Sequence, residues 1–385
     1  MALACFKDRA DIVQLLLESG ANPNAPLTDG WIALHIAAQN GNVALSRLLI
    51  ERGSAPMINL REDHGVTPIW VAGSFDHFAL VEYLLEAGAK ADVANEDGAT
   101  PLIMAAQEGQ AQSVRLLVEK GGADVDFEDN NGQTGLVLAA KYDHIDTVRC
   151  LVENGADCTK ANQQGTTPLL AAVRQDSRDV VRYLLSLKVS HRLCAQSNKK
   201  RETALWIAAR NGYTALCDML LDATEHRRGF VDRDDLLGIS PLCVAAGYGH
   251  ADTCRLLLKR KARWDKRSAS TPAFDSPNGP PRLHGLGLRG RPTDPWQMAR
   301  DRGGEETVMV FEGYLRSHFG ILFRTCVVGR RTHRRSGHPF SERHRIASDR
   351  YLSRYLVSFL VGDERSLVEL GGQNCHGPSL KNGLC

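Results

Sequence analysis

Residues 97–126 read DGATPLIMAAQEGQAQSVRLLVEKGGADVD, and they form the unit from which most of the chain is built. The unit begins with an Asp-Gly turn dipeptide. Thr100 follows with a hydroxyl that can cap a helix, and Pro101 suits the first helical position. Gly109 separates two stretches whose apolar residues recur at helical spacing, and a glycine pair ends the second stretch. The sequence therefore predicts two short helices that cannot bury their apolar faces within one unit.

The same unit occurs seven times at spacings of 33 to 37 residues. A glycine or aspartate recurs eight residues after the Pro101 position, and a Leu-Leu or Leu-Val pair recurs near the end of each unit. The Pro101 position is occupied in turn by Ala33, Pro68, Pro101, Gly135, Pro168, Ala204 and Pro241. The two longest spacings place extra polar residues at 190–200 and 224–236, where enlarged fingers or loops are expected. Because neighbouring copies can cover each other's apolar faces, the pattern predicts a stack of units.

These residues resemble the ankyrin repeat, whose units run D-G-x-T-P-L-H-x-A-A and end in L-L-x-x-G-A-D. The resemblance covers residues 2–263. It implies an all-α solenoid of stacked helix-turn-helix units with hairpin fingers. It also implies a non-enzymatic scaffold or adaptor that binds a protein partner on the concave surface of the stack. The identity of that partner stays open, since one repeat family serves many functions.

The phase of the repeat divides the chain into five segments. Residues 1–28 match a partial first unit, which favours a native chain that is longer at its N-terminus, and residues 29–264 hold the seven units. Residues 265–291 are rich in proline and glycine and predict a flexible insertion. Residues 292–316 match a degenerate last unit. Residues 317–385 form an Arg-rich tail that we expect to be disordered.

Composition excludes some functional classes. The formal net charge of +2 does not indicate a nucleic-acid binder, and no apolar run has the length of a membrane span. We therefore expect no membrane insertion. The ten cysteines are scattered without a Cys-x-x-Cys pair, and those within the repeats are expected to be buried thiols. This cysteine usage favours a reducing compartment, the cytoplasm or the nucleus.

Three motifs suggest other chemistry, and a structural interpretation is favoured for each. Residues 285–290 match G-x-G-x-x-G, but the strand and helix that a dinucleotide site needs are not predicted around them. His77, His144 and His250 recur at equivalent positions and could form a metal row, although a role in starting the second helices is favoured. The basic cluster at 329–335 could bind nucleic acid or act as an import signal, and a solvated tail is favoured.

No Ser/His/Asp or Cys/His set recurs with a shared pocket, and no Walker-type phosphate loop occurs in the sequence. We therefore expect no catalytic residue, cofactor, metal site or small-molecule substrate. Two alternatives to a simple scaffold stay open. One is a targeting subunit of a larger complex, such as a ligase adaptor or a kinase partner. The other, less favoured, is a nucleic-acid-associated factor that uses the Arg-rich tail.

The exposed ends of the first helices predict a binding surface. Equivalent positions of stacked units fall in rows, and this row is polar and acidic at Gln107 and Glu108 but cationic at Lys141, Arg174 and Arg210. Aromatic and arginine side chains are common in binding hot spots. The candidate partner-binding residues are Trp31, Phe75, Tyr142, Arg174, Arg210 and Tyr248. A partner with an apolar group near Phe75 and acidic groups toward the C-terminal units is expected.

A second set of positions, two residues before the Pro101 position, is expected at the finger tips. Its members are Trp31, Val66, Ala99, Gln133, Thr166, Glu202 and Ile239. Trp70 and Trp206 stand where the family pattern has the histidine of T-P-L-H. For these two tryptophans, a packing role is favoured over partner binding.

Overall fold

The computed structural model describes four stretches of the chain, residues 1–27, 29–224, 229–264 and 294–319. Within them the structure is helical and contains no β-strand, apart from an isolated antiparallel bridge between Ser197 and Thr203. The predicted insertion at 265–291 lies outside the described residues, as does the tail from residue 320 onward. The described part of the chain contains no helix with the length and apolarity needed to cross a bilayer.

The helices are α1 (Ala2–Phe6), α2 (Ala10–Glu18), α3 (Ala33–Asn40), α4 (Val43–Leu49), α5 (Pro68–Ser74), α6 (Phe78–Glu86), α7 (Pro101–Gln107), α8 (Ala111–Glu119), α9 (Gly135–Lys141), α10 (Ile145–Glu153), α11 (Pro168–Arg174), α12 (Arg178–Ser186), α13 (Ser190–Ala195), α14 (Ala204–Asn211), α15 (Thr214–Asp222), α16 (Pro241–Tyr248), α17 (Ala251–Lys259), α18 (Pro295–Met298) and α19 (Gly304–Phe319). Short 3-10 turns occupy Ala55–Met57 and Phe230–Asp232, and π-helical turns occupy Ile50–Ser54 and Ala299–Gly303.

The helices follow one another in pairs, and we call the first helix of each pair inner and the second outer. Inner helices α1, α3, α5, α7, α9, α11, α14, α16 and α18 pack in succession, each on the next. Outer helices α2, α4, α6, α8, α10, α12, α15 and α17 likewise pack in succession. This arrangement is an all-α repeat solenoid, as the period predicts.

The local signals in the sequence set where the inner helices begin. The Thr100 hydroxyl accepts a hydrogen bond from the backbone N–H of Ile103 at 3.3 Å, which satisfies one of the free donors at the start of α7. The same cap recurs at Thr134, Thr167, Thr203 and Ser240. The residue eight positions after the Pro101 position lies between the inner and the outer helix. It is a glycine or an aspartate with positive φ, for example Gly109 at +79° and Asp143 at +63°. These left-handed residues turn the chain into the outer helix.

The core is continuous along the stack because each unit contributes the same apolar positions. The residue after the Pro101 position is fully buried in all seven units. These residues are Leu34, Ile69, Leu102, Leu136, Leu169, Leu205 and Leu242. Small residues such as Ala105 and Ala106 are also fully buried, and they allow neighbouring inner helices to approach closely. Each unit therefore depends on its neighbours for the burial of its apolar face.

The segment at 190–200 differs from its prediction. It contains helix α13, and Leu193 and Cys194 of that helix are fully buried in the core. The prediction of a polar loop is wrong here, because these two apolar side chains fold the extra residues back onto α12. In the second enlarged segment, Phe230 is similarly buried.

Candidate functional site

The hairpin turns between units form a row of fingers along one side of the stack. We define a finger tip as the two residues directly before the turn residue with positive φ, which is Arg201 in finger 6 and a glycine in the other fingers. The tips are Asp29 (finger 1), Asp63–His64 (finger 2), Glu96–Asp97 (finger 3), Asn130–Asn131 (finger 4), Gln163–Gln164 (finger 5), Lys199–Lys200 (finger 6) and Leu236–Leu237 (finger 7). All of these residues are exposed. Finger 1 is defined by Asp29 alone because residue 28 lies outside the described ranges.

Backbone hydrogen bonds hold the fingers in register. The N–H of Asn130 donates to the carbonyl of Asp97 at 3.0 Å, and the N–H of Lys199 donates to the carbonyl of Gln164 at the same distance. Equivalent bonds join every pair of successive fingers from finger 1 to finger 7. Within finger 4, the Asp129 carboxylate accepts the N–H groups of two turn residues. The tips are thus fixed relative to one another rather than independent loops.

A groove of about 380 Å³ lies between fingers 4 and 5 and the ends of α9 and α11. It is lined by Asn131, Gln133, Val137, Lys141, Asn162, Gln163, Gln164, Thr166, Ala171, Arg174 and Gln175. The side chains of Asn131, Gln164 and Gln175 are exposed and make no hydrogen bond within the described part of the chain. The groove therefore combines two cationic side chains with amides that are available to a ligand.

The two cations of the groove differ in their surroundings. The Nζ of Lys141 lies 3.3 Å from the hydroxyl of Tyr142 and 4.8 Å from the centre of its ring. The Nη2 of Arg174 lies 3.8 Å from the Oε2 of Glu202, a mostly buried carboxylate of the next unit. The Arg174 side chain is still 42% exposed, so it can contact a ligand while it stays oriented by Glu202.

The other candidate residues occupy the same row at different depths. Phe75 and Tyr142, which follow α5 and α9, are exposed by 53% and 46%. Tyr248 is half-buried, with its ring nearly parallel to that of His250 at 6.2 Å. Arg210 is half-buried near the end of α14. Trp31 is half-buried at the base of finger 1, with its ring tilted against that of His35 at 5.5 Å. The structure thus places Arg174 in the groove lining. Tyr142 follows the lining residue Lys141 without lining the groove itself, and Phe75 lies two inner helices away from it.

The expected finger-tip positions need a correction. Ala99, Thr166, Glu202 and Ile239 are buried, so this set of residues lies at the base of the fingers rather than at their tips. The physical reason is that the finger base packs beneath the preceding unit's inner helix. There, the indole N–H of Trp206 donates to the carbonyl of Ile239 at 2.9 Å.

The interpretation of the two tryptophans as packing residues is confirmed. Trp206 is 5% exposed, and the indole N–H of Trp70 donates to the carbonyl of Ala99 at 3.1 Å. His35 takes the same position in its own unit, and its Nε2 lies 3.1 Å from the carbonyl oxygen of Val66. An inner-helix histidine or tryptophan therefore ties its unit to the next finger.

The recurring histidines also join neighbouring units. The Nε2 atoms of His77, His144 and His250 lie 2.9 Å from backbone carbonyl oxygens of the preceding unit. No group of His, Cys, Asp and Glu residues within the described ranges has the arrangement needed to hold a metal ion. These histidines directly precede the outer helices, as expected, but their side chains cap no helix N–H group and instead bond the preceding unit.

Each of these histidines packs against a glycine of the preceding unit, a pairing that we did not predict from the sequence. A Cβ at Gly41, Gly109 or Gly212 would lie 2.3 to 2.6 Å from the Nδ1 atom of the histidine that follows in the next unit. Where aspartate replaces the glycine, the next unit has a different residue in place of histidine. These pairs are Asp76 with Gln110, Asp143 with Ser177, and Asp176 with Tyr213. The signal was present in the sequence as this pairing of glycine with a histidine in the next unit, and of aspartate with another residue.

The thiols of the described units show no sign of reactivity. Cys217, Cys243 and Cys254 are buried free cysteines, as is Cys150. Burial raises the pKa of the Cys217 and Cys243 thiols to about 12, which keeps them protonated at neutral pH. The prediction that repeat cysteines are buried core residues is confirmed.

His35 makes the stability of the stack sensitive to pH. The backbone N–H of Ile32 donates to Nδ1 of His35 at 3.3 Å, so Nε2 carries the proton that is shared with Val66. Burial lowers the pKa of His35 from its ordinary value of 6.5, because the charged ring would lose solvent and an acceptor nitrogen. Below about pH 6.5 the unfolded chain binds a proton that the folded chain resists. His35 therefore contributes stability above this pH that is lost as the pH falls.

We expect the His35→Trp variant to have a weaker loss of stability on acidification than the parent chain. Tryptophan keeps a donor toward the next finger, as Trp70 and Trp206 do, but it does not titrate. Urea unfolding at about pH 7.5 and about pH 5.5 would measure the difference for both proteins. Equal pH dependence in the two proteins would mean that His35 is not the titrating group.

Comparison with known proteins agrees with this architecture. The family described as ankyrin repeats (3 copies) matches overlapping windows at residues 1–95, 56–129, 87–162, 158–227 and 188–270. The chain is 29% identical over 214 residues to transient receptor potential cation channel subfamily A member 1 from Homo sapiens, which covers 54% of this chain and 19% of that protein.

Two further relatives match shorter stretches. Ankyrin repeat and KH domain-containing protein 1 from Homo sapiens is 35% identical over 104 residues, which is 26% of this chain and 4% of the relative. Protein fem-1 homolog A-like from Mus musculus is 33% identical over 86 residues, which is 22% of this chain and 13% of the relative. The chain thus spans less than a fifth of the length of each of these three proteins. With the helix pairs, the fingers and the matched windows from residue 1 to 270, the chain belongs to the ankyrin repeat family.

Proposed function

We propose that the chain is a non-enzymatic scaffold that binds an extended segment of another protein, with acidic groups at the groove, on the concave, finger-side face of the stack. Ankyrin repeats indicate a protein–protein interaction domain. The groove between fingers 4 and 5 is the observation that supports this face, because Lys141 and Arg174 converge there with unpaired amide side chains.

The chemistry of the groove suits an extended peptide. An amide side chain offers both donors and an acceptor, and an extended backbone needs both kinds of partner. Asn131, Gln164 and Gln175 can therefore bond a peptide backbone without a requirement for its sequence. The two cations add a preference for carboxylates and steer their approach. Val137 and Ala171 supply the apolar part of the lining.

Several charged side chains on or directly after the outer helices pair between neighbouring units. Lys120 is paired with Glu82 and Glu86 of the neighbouring unit, and Arg260 is paired with Asp218 and Asp222. The Arg47 guanidinium lies 4.7 Å from the ring centre of Tyr83, again between units. These contacts use outer-face charges to join the stack, which favours the finger side as the face that meets a partner.

The proposed scaffold works in the cytoplasm or nucleus, in keeping with the free cysteines of the described residues. The alternative of a nucleic-acid-associated factor depends on the basic cluster at 329–335, which lies outside the described ranges. The targeting-subunit alternative adds a role for the same scaffold and uses the same groove.

We expect the double variant Lys141→Gln, Arg174→Gln to capture its protein partner at least tenfold less efficiently than the parent chain, since both groove cations are removed. Arg182→Gln with Arg255→Gln is the matched control, because it removes two exposed outer-helix arginines that each pair with an aspartate of their own helix. Quantitative affinity capture with the full-length proteins would measure the difference. A Phe75→Ala variant should speed dissociation of the same partner, because it removes an exposed aromatic side chain of the candidate surface.

Retention of every captured protein by the groove variant would contradict the proposal. Both double variants and the parent should have the same melting temperature, so that a loss of capture reports on the surface and not on folding.

A further inference from the structure

We infer that the partner segment is bipolar, with basic residues over fingers 1 to 3, acidic residues over fingers 5 and 6, and an apolar residue at finger 7. This inference rests on the proposed function and adds the orientation and charge order of the bound segment. It comes from the order of charged, amide and apolar residues along the finger tips, which extends beyond the groove between fingers 4 and 5.

The chemical character of the tips changes in order along the stack. The first three fingers carry carboxylates and no lysine or arginine among their described tip residues, namely Asp29, Asp63, Glu96 and Asp97. Fingers 4 and 5 carry only amides, Asn130, Asn131, Gln163 and Gln164. Finger 6 carries Lys199 and Lys200, and finger 7 carries Leu236 and Leu237, which are 60% and 41% exposed. The row thus runs from acidic through neutral to basic and ends apolar.

The tip charges are not cancelled within the described part of the chain. Asp63 and Asp97 make no ion pair there, and neither do Lys199 and Lys200. The nearest tip-to-tip pair joins Nδ1 of His64 to Oε2 of Glu96 at 3.9 Å. Arg201, at the base of finger 6, is the cation that pairs with Asp234, at 3.8 Å. The charges of these tip residues are therefore available to attract a ligand of opposite charge.

From the third unit onward, the ends of the inner helices follow the same acidic-to-basic order. Glu108, which follows α7, is exposed and acidic, whereas Lys141, Arg174 and Arg210 on later inner helices are cationic. Over these units the two rows of side chains therefore change from acidic to basic in the same direction. A segment that lies along the fingers meets both rows, so their effects on its orientation add.

The ladder of backbone bonds sets the length of the segment. Packed helices lie about 8–10 Å apart, so the four steps from finger 2 to finger 6 span about 32–40 Å. An extended chain advances about 3.3–3.6 Å per residue, which places the basic and acidic groups of the segment roughly 9–12 residues apart. A synthetic peptide with this spacing between its basic and acidic groups can therefore test the inference.

A second copy of this chain fits the row less well. In an antiparallel pair centred on finger 4, the leucines of finger 7 would face Asp29 of the other copy. Burial of a carboxylate against apolar side chains without a partner is costly. A separate segment with an apolar end avoids this conflict, so the observations favour a different protein over self-association.

The test uses the full-length chain and two labelled synthetic peptides of identical composition. One has four lysines and four glutamates in separate blocks joined by about ten glycine and serine residues, and the other has the same charges interspersed. We expect the block peptide to bind at least tenfold more tightly at low salt, and the preference to vanish at about 0.5 M salt. Fluorescence anisotropy would measure both affinities.

Two variants decide whether the finger tips set this preference. Lys199→Glu with Lys200→Glu should abolish the preference for the block peptide, whereas Arg182→Gln with Arg255→Gln on the outer helices should keep it. Equal binding of the two peptides, survival of the preference in the finger 6 variant, or self-association of the chain that excludes the block peptide would each overturn the inference.

The outcomes separate this inference from the proposed function. If partner capture depends on Lys141 and Arg174 but the block peptide has no advantage, the bipolar inference fails and the scaffold proposal stands. If the block peptide binds with the expected preference while the groove variant captures every partner normally, the groove proposal fails instead.

Discussion

We expect Leu117→Ala to lower the free energy of unfolding by about 2–5 kcal/mol, which is the usual cost of truncating a fully buried leucine. Leu117 lies in α8 with no exposed surface, and α8 packs against α6, α7 and α10. The cavity would therefore open between three neighbouring helices, in the middle of the stack. Because units are coupled to their neighbours, the damage should be largest near α6 to α10.

Leu116→Ala is the matched control for this cavity. Leu116 is next in sequence and of the same size, but it is only partly buried, so its truncation should cost less. Urea unfolding would give the two changes in free energy, and hydrogen exchange would locate them. A cost below about 0.5 kcal/mol for Leu117→Ala would show that this face of α8 is not in the core.

The second large effect concerns the glycine beneath a histidine. We expect Gly109→Asp to destabilise the stack by about 1–3 kcal/mol, because a Cβ at this position would lie 2.6 Å from Nδ1 of His144. Aspartate itself tolerates the positive φ of this position, as Asp143 does in the next unit. The collision with the imidazole, rather than the backbone, should then account for most of the loss.

A double-variant cycle tests this assignment. Gly109→Asp combined with His144→Ser recreates the pairing of Asp143 with Ser177, so the double variant should cost about 1 kcal/mol or more less than the sum of the single changes. Gly122→Asp is the control, since Gly122 also has positive φ but has nothing within 4 Å of an added Cβ. Additive effects of the two changes, or an equal cost at Gly122, would rule out the proposed contact.

Much of the fold could be predicted from the sequence because its information is periodic. The Thr-Pro caps, the left-handed residue eight positions later and the paired leucines each specify a local feature. Their shared phase specifies the stacking. The helix α13 could not be predicted in the same way. Leu193 and Cys194 lie in a single unit, so no repetition separated their burial from an exposed loop.

The candidate site was predictable in outline but not in its contacts. The row that contains Tyr142 and Arg174 follows from the repeat phase, whereas the proximity of Arg174 to Glu202 depends on side-chain positions in two units. The finger tips were misplaced because the residue before the cap, such as Ala99, is drawn under the Trp70 indole. The exposed tips could have been found as the two residues that precede each turn glycine, except in finger 6, where Arg201 takes the place of the glycine.

The claim that a partner lies along the finger-side face is tested most directly by hydrogen exchange of the full-length chain with and without its captured partner. We predict that the bound partner slows exchange in fingers 4 and 5, at residues 129–133 and 162–166, and at the ends of α9 and α11. Slowed exchange confined to the outer helices α10 and α12, with the fingers unchanged, would contradict the account.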